Sequence, residues 1–275
     1  MHYQLPPDHP LLTPLVKCFW YTDRVFSADL PRFEVLPDSY VELVFFQGAV
    51  CHLQKQDGTQ VELHSPFLVG LLDTPLQLFI VGPIRLAAIR FFPWSVFSFF
   101  RMQPQINENM DFSQLFALSA DGVHGLLARN EPLNALKDLR ESLFRFAAKD
   151  FRPHQLVAAA GQNILHDAGQ APVGQLAPRL YTTTRTLERA FRRYSGNSAK
   201  MLARKVRYER VRDHLWANPD CNMAQVALEY GFSDQAHLCR EFKLFSLQTP
   251  TAFIREVLAC TKNVAFVQDR QEESW

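Results

Sequence analysis

The sequence predicts an α+β protein in which an antiparallel β-domain with helices at its end precedes an all-α domain. Three observations support this prediction. Residues 19–100 contain short apolar runs separated by turn residues, residues after 104 show helical periodicity, and residues 177–249 contain a near-repeat of helical character. With 275 residues and 47% hydrophobic side chains, the chain is long enough for two domains with packed cores.

The β-domain is predicted from seven apolar runs that follow one another closely. They are residues 33–36, 41–46, 50–53, 61–63, 67–72, 76–81 and 86–92. Turn signals such as Asp57-Gly58 and Gly82-Pro83 separate them at intervals of roughly 8–12 residues, which is the spacing of an antiparallel sandwich or barrel. The longest apolar region is interrupted by Asp73 and Pro75, so we predict no transmembrane helix and no membrane partner.

Two amphipathic helices are predicted to follow the strands. Apolar residues recur at three- and four-residue steps over residues 132–148, and this helix either covers the sheet or pairs with its twin in a dimer. A second amphipathic stretch begins at Pro153. The small, polar segment 167–172 has no apolar periodicity, and we place the domain linker there.

Charge divides the chain at about the same place. Residues 1–170 hold 13 Lys and Arg against 17 Asp and Glu, residues 171–260 hold 14 against 8, and residues 261–275 hold 2 against 3. A basic module behind a mildly acidic one is typical of a nucleic-acid-binding domain with a non-binding partner. A solvated helix face would account for the same charge.

The residue pattern gives little support to an enzyme. His52 and His64 stand alone, while Glu34, Glu42 and Glu62 alternate along strand-like runs as outward-facing residues do, so no metal site and no cofactor are predicted. No Ser or Cys lies in a Gly-x-Ser-x-Gly turn, which presents a catalytic nucleophile. The five cysteines are scattered without C-x-x-C spacing, and the N-terminus lacks an apolar signal segment, so we expect a reducing, cytoplasmic location.

Two features of the β-domain leave alternatives open. The Phe-rich run 90–100 either lines an apolar effector pocket or belongs to the core, and we favour the core. Glu42 is either a ligand-reading acid or a solvent-facing one.

The near-repeat is the most informative motif in the chain. Residues 187–192 and 238–243 share a Leu-x-Arg-x-Phe-basic frame at an offset of 51 residues, which predicts two copies of one helical unit. In the second copy, Asn222 can cap a helix, Gly231 allows a tight turn, and Asp234 or the serine before it can cap the next helix. This order is typical of a helix-turn-helix.

Outward-facing residues on the second helix of each unit are predicted to contact DNA. In the second unit these are Gln235, Ala236, Cys239, Arg240 and Lys243. Gln235 can read adenine bidentately, Ala236 can touch a thymine methyl, and Arg240 or Lys243 can bind phosphate. In the first unit they are Arg185, Glu188 and Arg189, with Thr183 as the helix cap.

The first unit departs from the ideal pattern. Tyr181 stands where glycine would ease the turn, and Pro178 falls inside the first predicted helix. Between the units, a helix capped by Ser198 runs to about Trp216, and its positions outside the apolar stripe include Lys200, Arg204, Lys205, Arg207 and Arg210. At ~1.5 Å per residue it spans about 27 Å, slightly less than the ~34 Å turn of DNA. One chain can therefore reach two segments of the major groove.

Residues 172–256 resemble the C-terminal DNA-binding domain of AraC/XylS-type transcriptional regulators, which has two helix-turn-helix units joined by one long helix. The match rests on residues 227–238, residues 240–243 and Thr249-Pro250. Ser246 stands in place of the family's usual Gly before the final helix, and Ala199 in place of its usual Pro. By position, the resemblance implies a backbone contact at Arg240 and base-reading roles for Arg185, Glu188, Arg189, Gln235, Ala236 and Cys239. It also favours the dimer over the sheet-covering role for the helix over residues 132–148.

The N-terminal residues up to about 130 are similar to an uncharacterised domain that often precedes such DNA-binding modules. The similarity rests on residues 36–45, 67–71 and 90–94. It implies a cupin-like β-barrel with a helical annex and a sensory or regulatory role.

These observations together predict a non-enzymatic, sequence-specific DNA-binding transcriptional regulator of a bacterium. Its expected domains are a regulatory or dimerisation domain over residues 1–168, a DNA-binding domain over residues 172–256 and a tail over residues 257–275. The expected partners are double-stranded DNA, a small-molecule effector, a second copy of the chain and RNA polymerase. The alternative is a metal-dependent cupin-type barrel enzyme tethered to a DNA-binding domain.

Overall fold

The strands that the structure describes form two sheets. The structure, a computed structural model, describes residues 1–29, 32–55, 57–100, 109–111, 117–150, 154–259 and 263–265. The strands are β1 (His2–Leu5), β2 (Val16–Phe26), β3 (Arg32–Val35), β4 (Val41–Gly48), β5 (Cys51–Gln54), β6 (Gln60–Glu62), β7 (Phe67–Val69), β8 (Leu76–Ile80), β9 (Gly82–Phe91), β10 (Asn109–Asp111) and β11 (Asn263–Ala265). The larger sheet has the order β1-β2-β9-β4-β7-β10, and the smaller has the order β11-β3-β8-β5-β6. Each of the seven predicted runs contains a strand, which confirms those predictions.

The larger sheet is buried on both faces. Phe19 and Leu43 flank Ile89 on one face, which packs against helices. Trp20 and Val44, the next residues along β2 and β4, lie on the other face and pack against the smaller sheet. Successive side chains of a strand point to opposite faces, so fully apolar strands of this kind require cover on both sides. The N-terminal part is therefore built in three layers: helices, larger sheet and smaller sheet.

No closed barrel is seen among the described strands, and on this point the prediction from resemblance differs from the structure. The larger sheet ends at β1 and β10, and the smaller sheet ends at β11 and β6. Every described pair is antiparallel except β3 with β11, which is parallel. Helices and the smaller sheet already cover both faces of the larger sheet, so its apolar side chains are buried without closure into a barrel.

Helices make up the rest of the described chain. They are α1 (Val96–Phe100), α2 (Ala117–Ala128), α3 (Pro132–Asp150), α4 (Gln155–His166), α5 (Val173–Arg179), α6 (Thr184–Ser195), α7 (Ala199–Ala217), α8 (Met223–Glu229), α9 (Gln235–Ser246) and α10 (Pro250–Ala259). The described helices include none that is both long and apolar enough to cross a membrane. Pro153, predicted to open the second amphipathic stretch, lies outside the described residues, and His154 caps α4 instead.

The apolar face of α3 packs against the chain's own sheet. Leu136, Leu139 and Leu143 are buried in the same core as residues of β2, β4 and β9. Of the two alternatives for this helix, covering the sheet is the one that the structure contains. This face is therefore occupied in the folded monomer.

The C-terminal helices form two cores, and residues of the N-terminal part enter both. The first core joins α4, α5, α6 and the first half of α7, and it includes Phe92 and Trp94. The second joins the rest of α7 with α8, α9 and α10, and it includes Leu36. The two parts of the chain thus share apolar packing.

The Phe-rich run belongs largely to the core. Phe91, Phe92, Trp94, Val96 and Phe99 are buried, which confirms the favoured interpretation. Burial of this much aromatic surface stabilises the junction between β9 and the helices that follow.

Two glutamates predicted to face outward do not do so. Glu34 is buried and accepts a 2.6 Å hydrogen bond from the side-chain nitrogen of Gln77. Glu42 pairs with the guanidinium of Arg90 at 3.0 Å and accepts a hydrogen bond from the indole of Trp20 at 3.2 Å. Side chains along β4 alternate between the two faces of the larger sheet, and both faces are covered. The carboxylate of Glu42 is therefore largely shielded from solvent. Of the two alternatives that the sequence left open for Glu42, the structure therefore contradicts the solvent-facing one.

The environment of Glu42 makes stability depend on pH. Burial, reinforced by the negative charge of Asp38, raises the pKa of Glu42 from 4.5 to about 7, although Arg90 and Trp20 oppose the shift. Between these two pH values the folded protein holds a proton that the unfolded chain releases, so this group's contribution falls as pH rises through that window.

We expect the wild-type chain to lose stability between pH 5 and pH 8 relative to Glu42→Gln, whose neutral amide cannot titrate. Urea denaturation of both proteins across this range measures the difference. Parallel pH profiles for the two proteins would contradict the shifted pKa.

Candidate DNA-binding surface

The turn of the second helix-turn-helix unit forms as its sequence predicts. The side-chain oxygen of Asn222 accepts hydrogen bonds from the backbone N–H groups of Ala224 at 2.9 Å and Gln225 at 3.3 Å, so it caps α8. Gly231 adopts a left-handed φ of 71°, and the N–H of the buried Phe232 then donates to the Ala227 carbonyl at 2.8 Å. This turn sets the angle between α8 and α9.

The first unit has the same backbone turn despite its unusual residues. Tyr181 takes the place of the glycine with a φ of 51°, and the N–H of Thr182 donates to the Ala177 carbonyl at 3.0 Å. Tyr181 is 99% exposed, so no neighbouring side chain opposes this conformation, and the fold bears the cost of a left-handed non-glycine residue, roughly 1–2 kcal/mol. Pro178 lies near the C-terminal end of the short helix α5. The two departures from the ideal pattern are thus accommodated.

Side-chain caps start the second helix of each unit. Thr183 accepts a hydrogen bond from the Thr186 N–H at 3.2 Å and begins α6. Asp234, one of the two predicted caps, accepts one from the His237 N–H at 2.7 Å and begins α9. That bond also lowers the pKa of Asp234. The carboxylate stays ionised beside the positive end of the helix dipole.

Most of the residues predicted to contact DNA lie on the exposed sides of these two helices. The exposed ones are Arg185, Arg189, Gln235, Ala236, Arg240 and Lys243. Glu188 and Cys239 are half-buried. The Oε2 atom of Glu188 is shielded from solvent and has no hydrogen-bond partner among the described residues. Each helix therefore presents a mixed polar and basic surface, to which Glu188 contributes least.

Arginines of α7 hold the second unit in place. Arg204 makes a bidentate ion pair with Glu241 of α9, at 2.7 Å and 2.9 Å. Burial acts to raise the pKa of Glu241, but the hydrogen bonds and charge of Arg204 outweigh it and the pKa is lowered. Arg207 lies 5.1 Å from the centre of the Phe232 ring and donates to the Gly231 carbonyl at 3.2 Å. Sequence reasoning placed Arg204 and Arg207 outside the apolar positions without these partners, which are distant along the chain.

The residue that ends α9 is not the one expected. The resemblance assigned the family's glycine position to Ser246, but the left-handed residue is Leu247, with a φ of 59°. Ser246 is buried, and its hydroxyl donates to the Phe242 carbonyl at 2.8 Å. Ser195 makes the same bond to the Phe191 carbonyl at the end of α6. The serine is therefore a shared feature of both units rather than a substitute for glycine.

Comparisons with known proteins agree with this architecture. Residues 176–256 match the family described as "Helix-turn-helix domain", and residues 3–111 match "Domain of unknown function (DUF6597)". No curated protein sequence matches the chain.

Solved structures with a similar fold include ToxT from Vibrio cholerae. It is 11% identical, the match covers 86% of this chain and 98% of ToxT, and the TM-score is 0.50. An unsaturated fatty acid-bound ToxT from V. cholerae strain SCE256 is 12% identical over 86% of this chain and 94% of that one, with a TM-score of 0.44. The C-terminal domain of AraT, a response regulator from Geobacillus stearothermophilus, is 20% identical over 43% and 94% of the two chains, with a TM-score of 0.34.

The fold and the duplicated turns define a protein with two helix-turn-helix units joined by one helix. Residues 176–256 are an AraC-type helix-turn-helix domain, and a DUF6597 domain, residues 3–111, precedes it. ToxT shares the arrangement of N-terminal sheets and C-terminal helices.

Proposed function

We propose that the chain is a transcriptional regulator that binds a specific duplex DNA sequence through α6 and α9. The observation that carries this proposal is that two helices of the same kind, each following the same tight turn, leave polar and basic side chains exposed. The helix α7 that joins the two units has 19 residues, or about 28 Å at ~1.5 Å per residue. This length suits two neighbouring segments of the major groove.

The proposed contacts differ between the two ends of α9. Gln235 and Ala236 lie in its first turn, where a recognition helix meets base edges, and we assign them to base reading together with Cys239. Arg240 and Lys243 lie further along and are assigned to phosphates, which position the protein without reading sequence. In the first unit, Arg185, Glu188 and Arg189 take the base-reading roles.

The N-terminal part is proposed to be a non-catalytic regulatory domain over residues 1–168, with residues 172–256 as the DNA-binding domain and residues 257–275 as a tail. Its role would be to sense a small-molecule effector or to mediate dimerisation, and RNA polymerase is a further proposed partner. Support for regulation comes from the shared cores, because residues of the N-terminal part pack in the core of each helix-turn-helix unit. Among the described residues, no three His, Cys, Asp or Glu side chains lie close enough to hold a metal ion, so no observation favours the metal-dependent enzyme.

Two substitutions on α9 test the assignment of base and phosphate contacts. Gln235→Ala should weaken binding to the cognate operator by about 1–3 kcal/mol and leave binding to scrambled DNA almost unchanged, because only a base contact is lost. Arg240→Ala should weaken both alike and reduce the salt dependence by about one phosphate. Fluorescence anisotropy with the full chain and the two duplexes measures all four affinities. Equal losses on both duplexes for Gln235→Ala would show that α9 is placed wrongly in the groove.

A further inference from the structure

Charged residues of α7 are buried against the N-terminal part. Lys205 and Arg212 are each only 1% exposed. Sequence periodicity placed Lys205 among the outer positions, and the structure corrects this. An unpaired buried charge is strongly unfavourable, so each of these side chains requires a close partner.

Both cations have partners in the N-terminal part, and Arg212 has a further partner on α7 itself. The ammonium of Lys205 pairs with the carboxylate of Asp73 at 2.6 Å. The guanidinium of Arg212 donates to the Pro37 carbonyl at 3.0 Å and also pairs with its neighbour Asp213 at 2.8 Å. Two cations seven residues apart on one face of α7 therefore fix two separate points of the N-terminal part.

A third contact lies between these two cations. The backbone N–H of Ser39 donates to a carboxylate oxygen of Glu209 at 3.3 Å. Residues 205, 209 and 212 follow the three- and four-residue spacing of one helix face. We call Lys205, Glu209 and Arg212 the docking stripe of α7.

The loop that receives the docking stripe is anchored to the larger sheet. Residues 36–40 connect β3 to β4, and Asp38 within this loop forms an ion pair with Arg90 of β9. The guanidinium of Arg90 also lies 4.3 Å from the centre of the Tyr40 ring. Arg90 is buried and also pairs with Glu42 of β4. Its contacts with Asp38 and Tyr40 therefore fix the loop to the larger sheet.

Apolar contacts extend the docking to both helix-turn-helix units. Leu36 is buried in the core of the second unit, and Trp94 is buried in the core of the first. The ring of Phe97 packs edge-on against Tyr194 of α6, with 5.0 Å between ring centres. The N-terminal part therefore contacts each unit as well as the helix between them.

The N-terminal part does not cover the residues that are proposed to contact DNA. Arg185, Arg189, Gln235 and Arg240 remain exposed while the docking stripe is fully engaged. The contact thus does not inhibit DNA binding by masking. The contact between the docking stripe and the N-terminal part instead restricts how the two units are oriented relative to each other.

We propose that the docked N-terminal part is a brace, and that Lys205, Glu209 and Arg212 are positioning residues that hold α6 and α9 at the separation and angle the operator requires. The inference rests on the proposed function. Fixing two recognition helices before they meet DNA removes an ordering cost from binding, so an intact brace raises operator affinity. Binding to random DNA does not require a particular angle between the units, so an intact brace should raise affinity for random DNA only slightly.

The Lys205–Asp73 pair offers a test in which simple charge and the brace predict opposite results. Asp73→Lys makes the chain more positive, so electrostatic attraction alone would tighten DNA binding. If the brace matters, the same substitution should weaken operator binding about tenfold, within the usual range for coupling between sites. Lys205→Glu should weaken it as well, and the exchanged pair Lys205→Glu with Asp73→Lys should return to within about threefold of the wild-type chain.

A second readout follows docking without DNA. The N–H of Ser39 is bonded to Glu209, so hydrogen exchange at this amide should be faster in either single variant and slow again in the exchanged pair. Asp73 lies on a partly exposed turn, so its variant tests the proposal even if the buried Lys205→Glu fails to fold. Asp29→Lys, at an exposed site, changes the net charge by the same two units as Asp73→Lys and is the charge control; it should bind the operator no more weakly than wild type.

The outcomes separate this inference from the proposed function. If a folded Asp73→Lys variant shows faster hydrogen exchange at the Ser39 amide but binds the operator as tightly as wild type, or more tightly, the brace proposal is wrong. The proposed function is not affected by that result. Failure of the folded, exchanged pair to restore affinity would also overturn it. If the wild-type chain selects no DNA sequence, the proposed function falls and the brace falls with it.

Discussion

Trp94→Ala should cost about 3–5 kcal/mol of unfolding free energy, the range for removing a large buried aromatic side chain. Trp94 is 2% exposed and lies in the core that α4, α6 and α7 share. Its ring stacks on Phe92 with 4.8 Å between centres, and its indole N–H donates to the Pro14 carbonyl at 3.0 Å. Gly161 of α4 packs so closely that an added Cβ would lie 2.0 Å from the ring. The alanine variant leaves a cavity at the junction of the two parts.

Urea denaturation of the full chain measures this loss. Trp94→Phe is the intermediate variant, because it keeps an aromatic ring on Phe92 and loses the hydrogen bond. Its loss should fall between those of wild type and alanine. The account of the junction is contradicted if Trp94→Ala costs less than about 1 kcal/mol, since that would mean the site collapses without penalty.

Gly169→Ala should also destabilise the chain, by about 2–5 kcal/mol. Gly169 has a left-handed φ of 70°, which costs other residues roughly 1–2 kcal/mol. Its missing Cβ would lie 2.1 Å from the Ala203 carbonyl oxygen, a backbone atom of α7 that cannot move aside cheaply. Overpacking of this kind costs a further 1–3 kcal/mol or so. The predicted linker therefore contains a glycine that the fold requires.

Gly174→Ala is the matched control for this substitution. A Cβ there would meet nothing within 4 Å, and the residue lies in helix α5. Alanine should leave stability unchanged or raise it by up to about 1 kcal/mol. Thermal melts of the two variants should thus shift in different directions or by clearly different amounts. Equal shifts would mean that the close approach of Gly169 to α7 has no energetic consequence.

Local features of this fold could be predicted from the sequence because their signals are local. The caps Thr183, Ser198 and Asn222 each accept the expected backbone hydrogen bond. The order of cap, glycine and cap located the turn of the second helix-turn-helix unit, and the repeat located that of the first. The seven strand positions could be predicted because apolar runs and turn residues alternate along the chain.

Features that depend on distant contacts could not be predicted in this way. Alternation along β4 assigns Glu42 to one face of a sheet, but it does not reveal that the smaller sheet covers that face. Helical periodicity correctly places Lys205 away from the apolar stripe of α7, yet a second surface, the N-terminal part, buries it there. Whether strands close into a barrel likewise depends on how edges meet, and strand patterns carry no signal for that.

Selection from a pool of random DNA duplexes by the full-length chain tests the central claim most directly. We predict enrichment of one sequence with two recognition segments about one helical turn apart, because the ~28 Å of α7 is only slightly less than the ~34 Å length of that turn. Affinity for that sequence should exceed affinity for its scrambled version and fall steeply with salt, at a log–log slope of about −0.9 per neutralised phosphate. A pool that shows no enrichment, with equal affinity for selected and scrambled duplexes, would contradict the claim that this chain is a sequence-specific DNA-binding regulator.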